Sequence, residues 1–224
     1  MPSPILTSKN LTKSVDNKGE TLLILDQINF DIYAGTSTAL VGRSGSGKTT
    51  LLGIMAGLDS CTTGEIWLNG HPLHQLDEAA RTQLRADNVG FIFQNFQLLP
   101  HLTTLENVML PLELTRHANA KELALRALES VDLLHRLEHK PSLLSGGEQQ
   151  RVAISRAIAH NPKVLFADEP TGNLDSVTGE KITKLLFDLN KNLGATLVIV
   201  THDKALANRC LAQIHIDAGR IIHG

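Results

Sequence analysis

"LVGRSGSGKTT", Leu40 to Thr50, is the stretch that decides the fold. An apolar strand end runs into glycines at 42, 45 and 47, then Lys48 and Thr49, and a helix follows. The run satisfies GxxxxGK[ST] in the strand-then-helix context that this pattern needs. Glycines let backbone N–H groups close around phosphate oxygens, Lys48 adds a point charge toward the terminal phosphates, and the Thr49 hydroxyl suits a magnesium ion. A glycine-rich turn with an exposed lysine is the bland alternative; the flanking strand and helix argue against it.

Outward from the loop, "ILTSKNLTK", "TLLILDQINFDIY", "STALVG", "GEIWLNG" and "VGFIFQ" read as strands. The stretch from about Asn95 to His160 reads as helical, with Thr103 and Glu106 forming a capping-box pattern and Leu123, Ala124, Ala127, Leu128 and Val131 at helical spacing. Buried-type strands return in "KVLFA" and "TLVIV" around a helix near Thr178 to Asn192. Strands alternating with helices predict a parallel sheet covered on both faces. The expected fold class is therefore α/β, with residues 1–94 and 161–224 as the core and 95–160 as an inserted helical part of one domain.

Ligands of open parallel sheets sit at the carboxyl ends of strands. "KVLFADEP" ends there in Asp168 and Glu169: the first suits a magnesium ion, and the second suits the orientation of an attacking water. "TLVIV" ends in Thr201 and His202, whose imidazole could meet a γ-phosphate or cap the following helix. Gln94, after "VGFIF", could reach the metal and its water or merely satisfy its loop.

A second small-residue segment, "LLSGGEQQRVAISRA", opens a helix at Ser145, Gly146 and Gly147 with no lysine behind it. Free N–H groups and a helix dipole equal to about half a unit charge suit an anion. Its sequence does not say whose anion.

Composition bounds the rest. The 224 residues are 42% hydrophobic and 20% charged, with 21 basic against 23 acidic side chains. A formal charge of -2 argues against a nucleic-acid partner. Cys61 and Cys210 show no CxxC spacing, the N-terminus does not read as a signal peptide, and no apolar run approaches the ~20 residues of a membrane span. The expected location is cytoplasmic. "HRLEH", His135 to His139, matches HxxEH but lacks a third ligand, and polar residues at a helix end are the better reading.

In order, "GRSGSGKT", "FQ", "LSGGEQQR", "LFADEP", "NLD" and "TH" resemble the nucleotide-binding subunits of ABC transporters over essentially the whole chain. "FQNFQLLPHLTTLENV" and "ADEPTGNLD" look like the LolD, MacB and FtsE branch, with "LTKSV" and "LDEAARTQLRADNVGF" nearest its YbbA-like members. The resemblance implies a P-loop NTPase (RecA-like) fold of mostly parallel sheet, with an N-terminal antiparallel region and an inserted α-helical subdomain. It implies ATP and Mg2+ as cofactors. Gly42, Arg43, Ser44, Gly45, Ser46, Gly47, Lys48, Thr49 and Thr50 would form the Walker A loop. Gln94 would be the Q-loop glutamine, and Ser145, Gly146, Gly147, Glu148 and Gln149 the signature. Asp168 would be the Walker B aspartate, Glu169 the catalytic glutamate, Asp175 the D-loop aspartate and His202 the switch histidine. Thr49, Gln94 and Asp168 would serve Mg2+.

Two partners are implied. One is a second copy, closing head to tail around two ATP molecules so that each signature faces the other subunit's Walker A loop. The other is an integral membrane permease of the MacB, LolC/LolE or YbbP kind, which would hold the chain on the inner face of the cytoplasmic membrane. Phe96, Leu98, Leu99 and Leu102 could line its groove or pack beneath a loop. Val15 stands where the family usually stacks an aromatic ring on adenine, so weaker base selectivity is expected. A P-loop kinase would not need the signature helix. A chromosome or DNA-repair ATPase would carry long heptad segments, which the sequence lacks.

Overall fold

The computed structural model describes residues 3–17 and 19–222. Internal contacts group the chain into two compact units, Met1–Arg85 with Thr196–Gly224, and Ala86–Ala195.

The first unit contains both kinds of sheet. Strands β1 (Pro4–Asn17), β2 (Glu20–Tyr33), β4 (Thr63–Leu68) and β5 (His71–Pro72) form an antiparallel sheet in the order β2-β1-β4-β5. Its inward face carries Leu25, Ile28 and Ile32 on β2 and Ile66 and Leu68 on β4; alternation holds within each stretch, and a register shift between Leu25 and Ile28 keeps both inward. Strand β3 (Ser37–Val41) pairs in parallel with β8 (Thr196–Val200) and β9 (Ala212–Asp217), and β10 (Arg220–Ile222) turns back antiparallel on β9. Strand β8 reads "TLVIV" because every residue of it is buried, as expected of a parallel strand covered on both faces. Helix α1 (Lys48–Met55) buries Leu51, Leu52, Ile54 and Met55, and α7 (Lys204–Ala207) follows β8.

Helix α2 (Glu78–Asn88) spans the boundary between the units and was not foreseen. It buries only Leu84 and Asn88, so no apolar stripe marks it in the sequence.

The second unit pairs β6 (Val89–Ile92) in parallel with β7 (Val164–Asp168). Helices α3 (Thr104–Leu114), α4 (Ala120–Glu129) and α5 (Gly146–Ile158) pack on one another, and α6 (Ser176–Leu193) packs on α5. The expected capping box is present: Glu106 N donates to Thr103 Oγ1 at 3.2 Å, and Thr103 N donates to Glu106 Oε2 at 2.7 Å. Fully buried Val152 and Ile154 on α5 and Val108 and Leu112 on α3 each stabilise the unit by about 1.5–3 kcal/mol of transfer free energy. Parallel strands with helices, together with an N-terminal antiparallel sheet, match the fold class read from the sequence.

Candidate functional site

In the first unit, the loop between β3 and α1 is shaped by close approach. A Cβ on Gly42 would lie 2.1 Å from the Ile216 carbonyl, and one on Gly47 would lie 2.7 Å from Leu25 Cδ2. Gly45 and Gly47 have φ of 76° and 99°, in the left-handed region where a side chain is strained. Gly47 caps α1 without a side-chain hydrogen bond, and the first turn holds no acid, so the helix start keeps its positive end. Lys48 is 8% exposed; its ammonium donates to the carbonyls of Gly42 at 2.9 Å and Arg43 at 2.8 Å, which holds the charge inside the loop. The buried Ser46 hydroxyl has no hydrogen-bond partner. Arg43, Ser44, Gly45 and Thr49 are exposed around this nest, and Thr50 is half-buried.

Leu40 of β3 lies opposite Val200 of β8, so Gly42 and His202 leave the same, carboxyl end of two neighbouring parallel strands. His202 is exposed; its neighbour Asp203 caps α7 by accepting from the N–H groups of Ala205 and Leu206. The loop fits a polyphosphate on chemistry alone: a buried ammonium, an unpartnered buried hydroxyl and backbone donors around two left-handed glycines.

In the second unit, Ile92 of β6 lies opposite Ala167 of β7, which places Gln94 and the Asp168-Glu169 pair side by side at the carboxyl strand ends. Asp168 and Glu169 are half-buried. Glu169 has φ of 46°, a strained conformation for a non-glycine residue that costs about 1–3 kcal/mol and is concentrated at functional sites. Its carbonyl accepts from Gly172 N at 3.0 Å. A Cβ on Gly172 would come within 3.0 Å of Gln94 Nε2, so the missing side chain leaves room for the amide.

The signature start is built differently. Ser145 N and Oγ both donate to Glu148 Oε2 at 2.8 Å, and Glu148 N donates back to Ser145 Oγ at 3.3 Å. Arg136 Nε donates to Glu148 Oε1 at 2.8 Å. The Ser145 backbone and side-chain hydrogen bonds, with Arg136 behind them, hold the Glu148 carboxyl down at about 2. Gly147 is required by contact, since its Cβ would lie 2.5 Å from Thr178 Cγ2 on α6. Gly146 meets only Leu174 and Phe96, at 3.4 Å or more. Gln149 donates to the Leu144 carbonyl at 3.1 Å. Asp175 caps α6, accepting from the N–H groups of Val177 and Thr178; hydrogen bonds from the Thr178 side chain first, then from the Thr178 and Val177 backbone, lower its pKa.

Sequence reading missed three groups. Gln150, fully buried, donates to the Pro170 carbonyl at 2.8 Å, tying α5 to the residue after Glu169. Its signal was a polar residue at a core position of the α5 stripe shared with Ala153, Ile154 and Ala157. Arg156 and Asn173, which hold the loop after Gln94, gave no sequence signal.

The apolar residues after Gln94 are partly exposed, and Asn107 braces them by accepting from Leu99 N and donating to the carbonyls of Leu99 and Leu102. Val15 is 38% exposed and lies opposite Leu22 on β2. His135 and His139 do not share a helix: a short 3-10 turn covers Leu134–Arg136, and His139 lies 3.2 Å from Arg136 Nη1. Among the described residues, no group of three or more His, Cys, Asp or Glu side chains is placed to hold a metal ion, and no helix is long and apolar enough to cross a membrane.

The family profile described as "ABC transporter" matches residues 25–172. The chain is 53% identical to the uncharacterized ABC transporter ATP-binding protein YbbA of Escherichia coli K12, covering 97% of this chain and 96% of that one. It is 45% identical to the lipoprotein-releasing system ATP-binding protein LolD of Francisella tularensis, covering 93% and 92%. Among solved structures it is similar to the ABC transporter cassette MJ0796, solved as a dimer, with 42% identity, a TM-score of 0.89 and 97% of both chains covered. A post-hydrolysis dimer of that cassette bound to ADP and Pi matches at 41% identity, again with a TM-score of 0.89.

Proposed function

Because this chain belongs to the ABC transporter family, on the branch of the LolD and YbbA ATP-binding proteins, we propose that it is the ATP-binding and ATP-hydrolysing subunit of a membrane complex of the lipoprotein-release or MacB type. The observation that carries this reading is the nest around Lys48: a buried ammonium and an unpartnered Ser46 hydroxyl between two left-handed glycines at a helix start without an acid.

In this reading the amides from Gly42 to Thr50 and the Lys48 ammonium bind the triphosphate, and their charge complements the transferring phosphoryl group. Thr49, Gln94 and Asp168 are the oxygen donors that would hold Mg2+, which when bound neutralises charge on the phosphates. Glu169 orients the attacking water and accepts its proton, while His202 hydrogen-bonds the terminal phosphate. Ser145, Gly146, Gly147, Glu148 and Asp175 act on the ATP held by a second copy, head to tail; that the related cassette is solved as a dimer supports a second copy. A permease takes up the closing motion, with the partly exposed Phe96, Leu98, Leu99 and Leu102 as the contact. That attachment places the chain on the inner face of the cytoplasmic membrane.

Glu169→Gln tests the reading. It should abolish phosphate release, keep ATP binding and favour a dimer that persists in size-exclusion chromatography with ATP. Near-normal turnover in this variant would remove the assigned base and the reading with it.

A further inference from the structure

The loop that carries Gln94 is held from outside by two side chains with no part in the reading above. Half-buried Arg156, on α5, donates from Nη1 to the Gln97 carbonyl at 2.7 Å and from Nη2 to the Phe96 carbonyl at 2.9 Å. Phe96 and Gln97 are consecutive non-glycine residues in the left-handed region, with φ of 56° and 49°. That backbone turns their carbonyls away from any strand or helix ladder, and the guanidinium fork supplies the missing donors. Asn173 Nδ2 donates to the Gln94 carbonyl at 2.9 Å and to Asn95 Oδ1 at 2.8 Å. One arm thus comes from the helix that begins at Ser145, and the other from the turn between Glu169 and Asp175.

We propose that Arg156 and Asn173 are positioning residues for Gln94, fixing its loop to the signature helix and to the turn after the catalytic glutamate, so that Gln94 cannot shift without them. This rests on the reading that Gln94 serves hydrolysis. Arginine suits the site because its rigid fork presents Nη1 and Nη2 to two successive carbonyls at fixed spacing, whereas a lysine ammonium is a single flexible point of charge that holds the pair less firmly.

The test is the steady-state ATPase of the full chain for Arg156→Ala, Arg156→Lys, Asn173→Ala and Gln94→Ala, and for each loop variant combined with Gln94→Ala. Each single alanine variant should lower kcat by about tenfold to a hundredfold, the range expected when a catalytic group is misplaced by about an ångström, with ATP affinity retained. Arg156→Lys should fall between Arg156→Ala and the unchanged protein. In the Gln94→Ala background the loop variants should change kcat by no more than about twofold, since their effect passes through the missing amide. Losses that multiply in that background would mark a merely structural role and overturn the proposal. Asn173→Ala, which removes no buried charge, carries the test if Arg156→Ala fails to fold. A lowered kcat in Gln94→Ala with unchanged kcat in Asn173→Ala and Arg156→Lys overturns this inference alone. Unchanged kcat in Gln94→Ala overturns the role given to Gln94, and this inference with it.

Discussion

Two helices of this chain open on glycines, α1 after Gly47 and α5 after Ser145, and their first turns are opposites. At α1 no side chain caps the helix, no acid enters the first turn, and Lys48 adds a buried positive charge. At α5 the Ser145 hydroxyl and the Glu148 carboxylate satisfy each other's backbone N–H groups, and the acid is anchored by Arg136. The glycines differ as well: Gly47 is needed for its left-handed backbone and its contact with Leu25, whereas Gly147 is needed to clear Thr178. The lesson is that a glycine-opened helix is not in itself a phosphate site. The α1 start presents a net positive cradle whose chemistry suits a polyphosphate without help from elsewhere. The α5 start has spent two of its donors on its own acid, and it offers an anion mainly the Gly146 and Gly147 amides. A site so weak needs its anion delivered by something else, which is why the dimer reading suits it.

The largest effect should therefore come from the α1 side. Lys48→Ala removes the buried charge of the nest and should cut kcat/KM for ATP by at least about a hundredfold to a thousandfold, the cost of deleting a single preorganised donor to a developing charge. Ser145→Arg fills the α5 start and should also stop phosphate release, while leaving ATP binding by the same chain intact, as equilibrium binding of a labelled nucleotide would read. Mixing the two dead variants separates the helices cleanly. If the α1 and α5 starts of different copies act on one ATP, each mixed dimer recovers one working site and activity reappears. If both starts act within one chain, the mixture stays inactive, and the contrast drawn above loses its consequence.

The α1 side of this contrast was legible in the sequence because glycine and lysine at fixed spacing leave little structural choice. "TLVIV" and "KVLFA" were equally plain, since strands buried on both faces read as unbroken apolar runs. The α5 side was legible only as a helix start: Ser145 and Glu148 stand at the capping-box spacing, yet the two glycines drew the reading toward an anion. Helix α2 was missed because it buries so little, and β9 with β10 because "AQIHID" and "RII" mix exposed and polar positions along a short hairpin. Glu169's left-handed backbone and the Arg156 and Asn173 contacts depend on tertiary placement, about which residue spacing says nothing.

A middling effect concerns what the α1 cradle ignores. Phosphates are common to all nucleoside triphosphates, so base selectivity must come from elsewhere, and Val15 opposite Leu22 offers only aliphatic surface. Base stacking on an aromatic ring is worth about 1–3 kcal/mol, or on the order of fivefold to a hundredfold in Kd. Val15→Tyr should tighten ATP binding by that factor, and the unchanged protein should bind ATP and GTP with similar affinity in competition titrations. A strong preference of the unchanged protein for ATP would move base reading onto some other group and weaken the view that the phosphate cradle carries the affinity.

The smallest effect isolates the acid that sets α5 apart. Glu148 is held at about 2 in the folded chain against an ordinary 4.5, first by the Ser145 backbone N–H and hydroxyl and then by Arg136. A carboxyl depressed on folding contributes stability that is fully present above its unfolded pKa and is lost as pH falls through the folded one. The window for Glu148 therefore runs from about 4.5 down to about 2. At neutral pH, Glu148→Gln should lower stability by about 0.5–2 kcal/mol, the usual worth of an N-terminal cap, read by urea titration. Between those two pH values the unchanged protein should lose that advantage and the variant should not, so that their stability curves converge toward the acid end. Parallel curves through the window would mean that the carboxylate gains nothing from Ser145 and Arg136. The α5 start would then be as open to an outside anion as the α1 start.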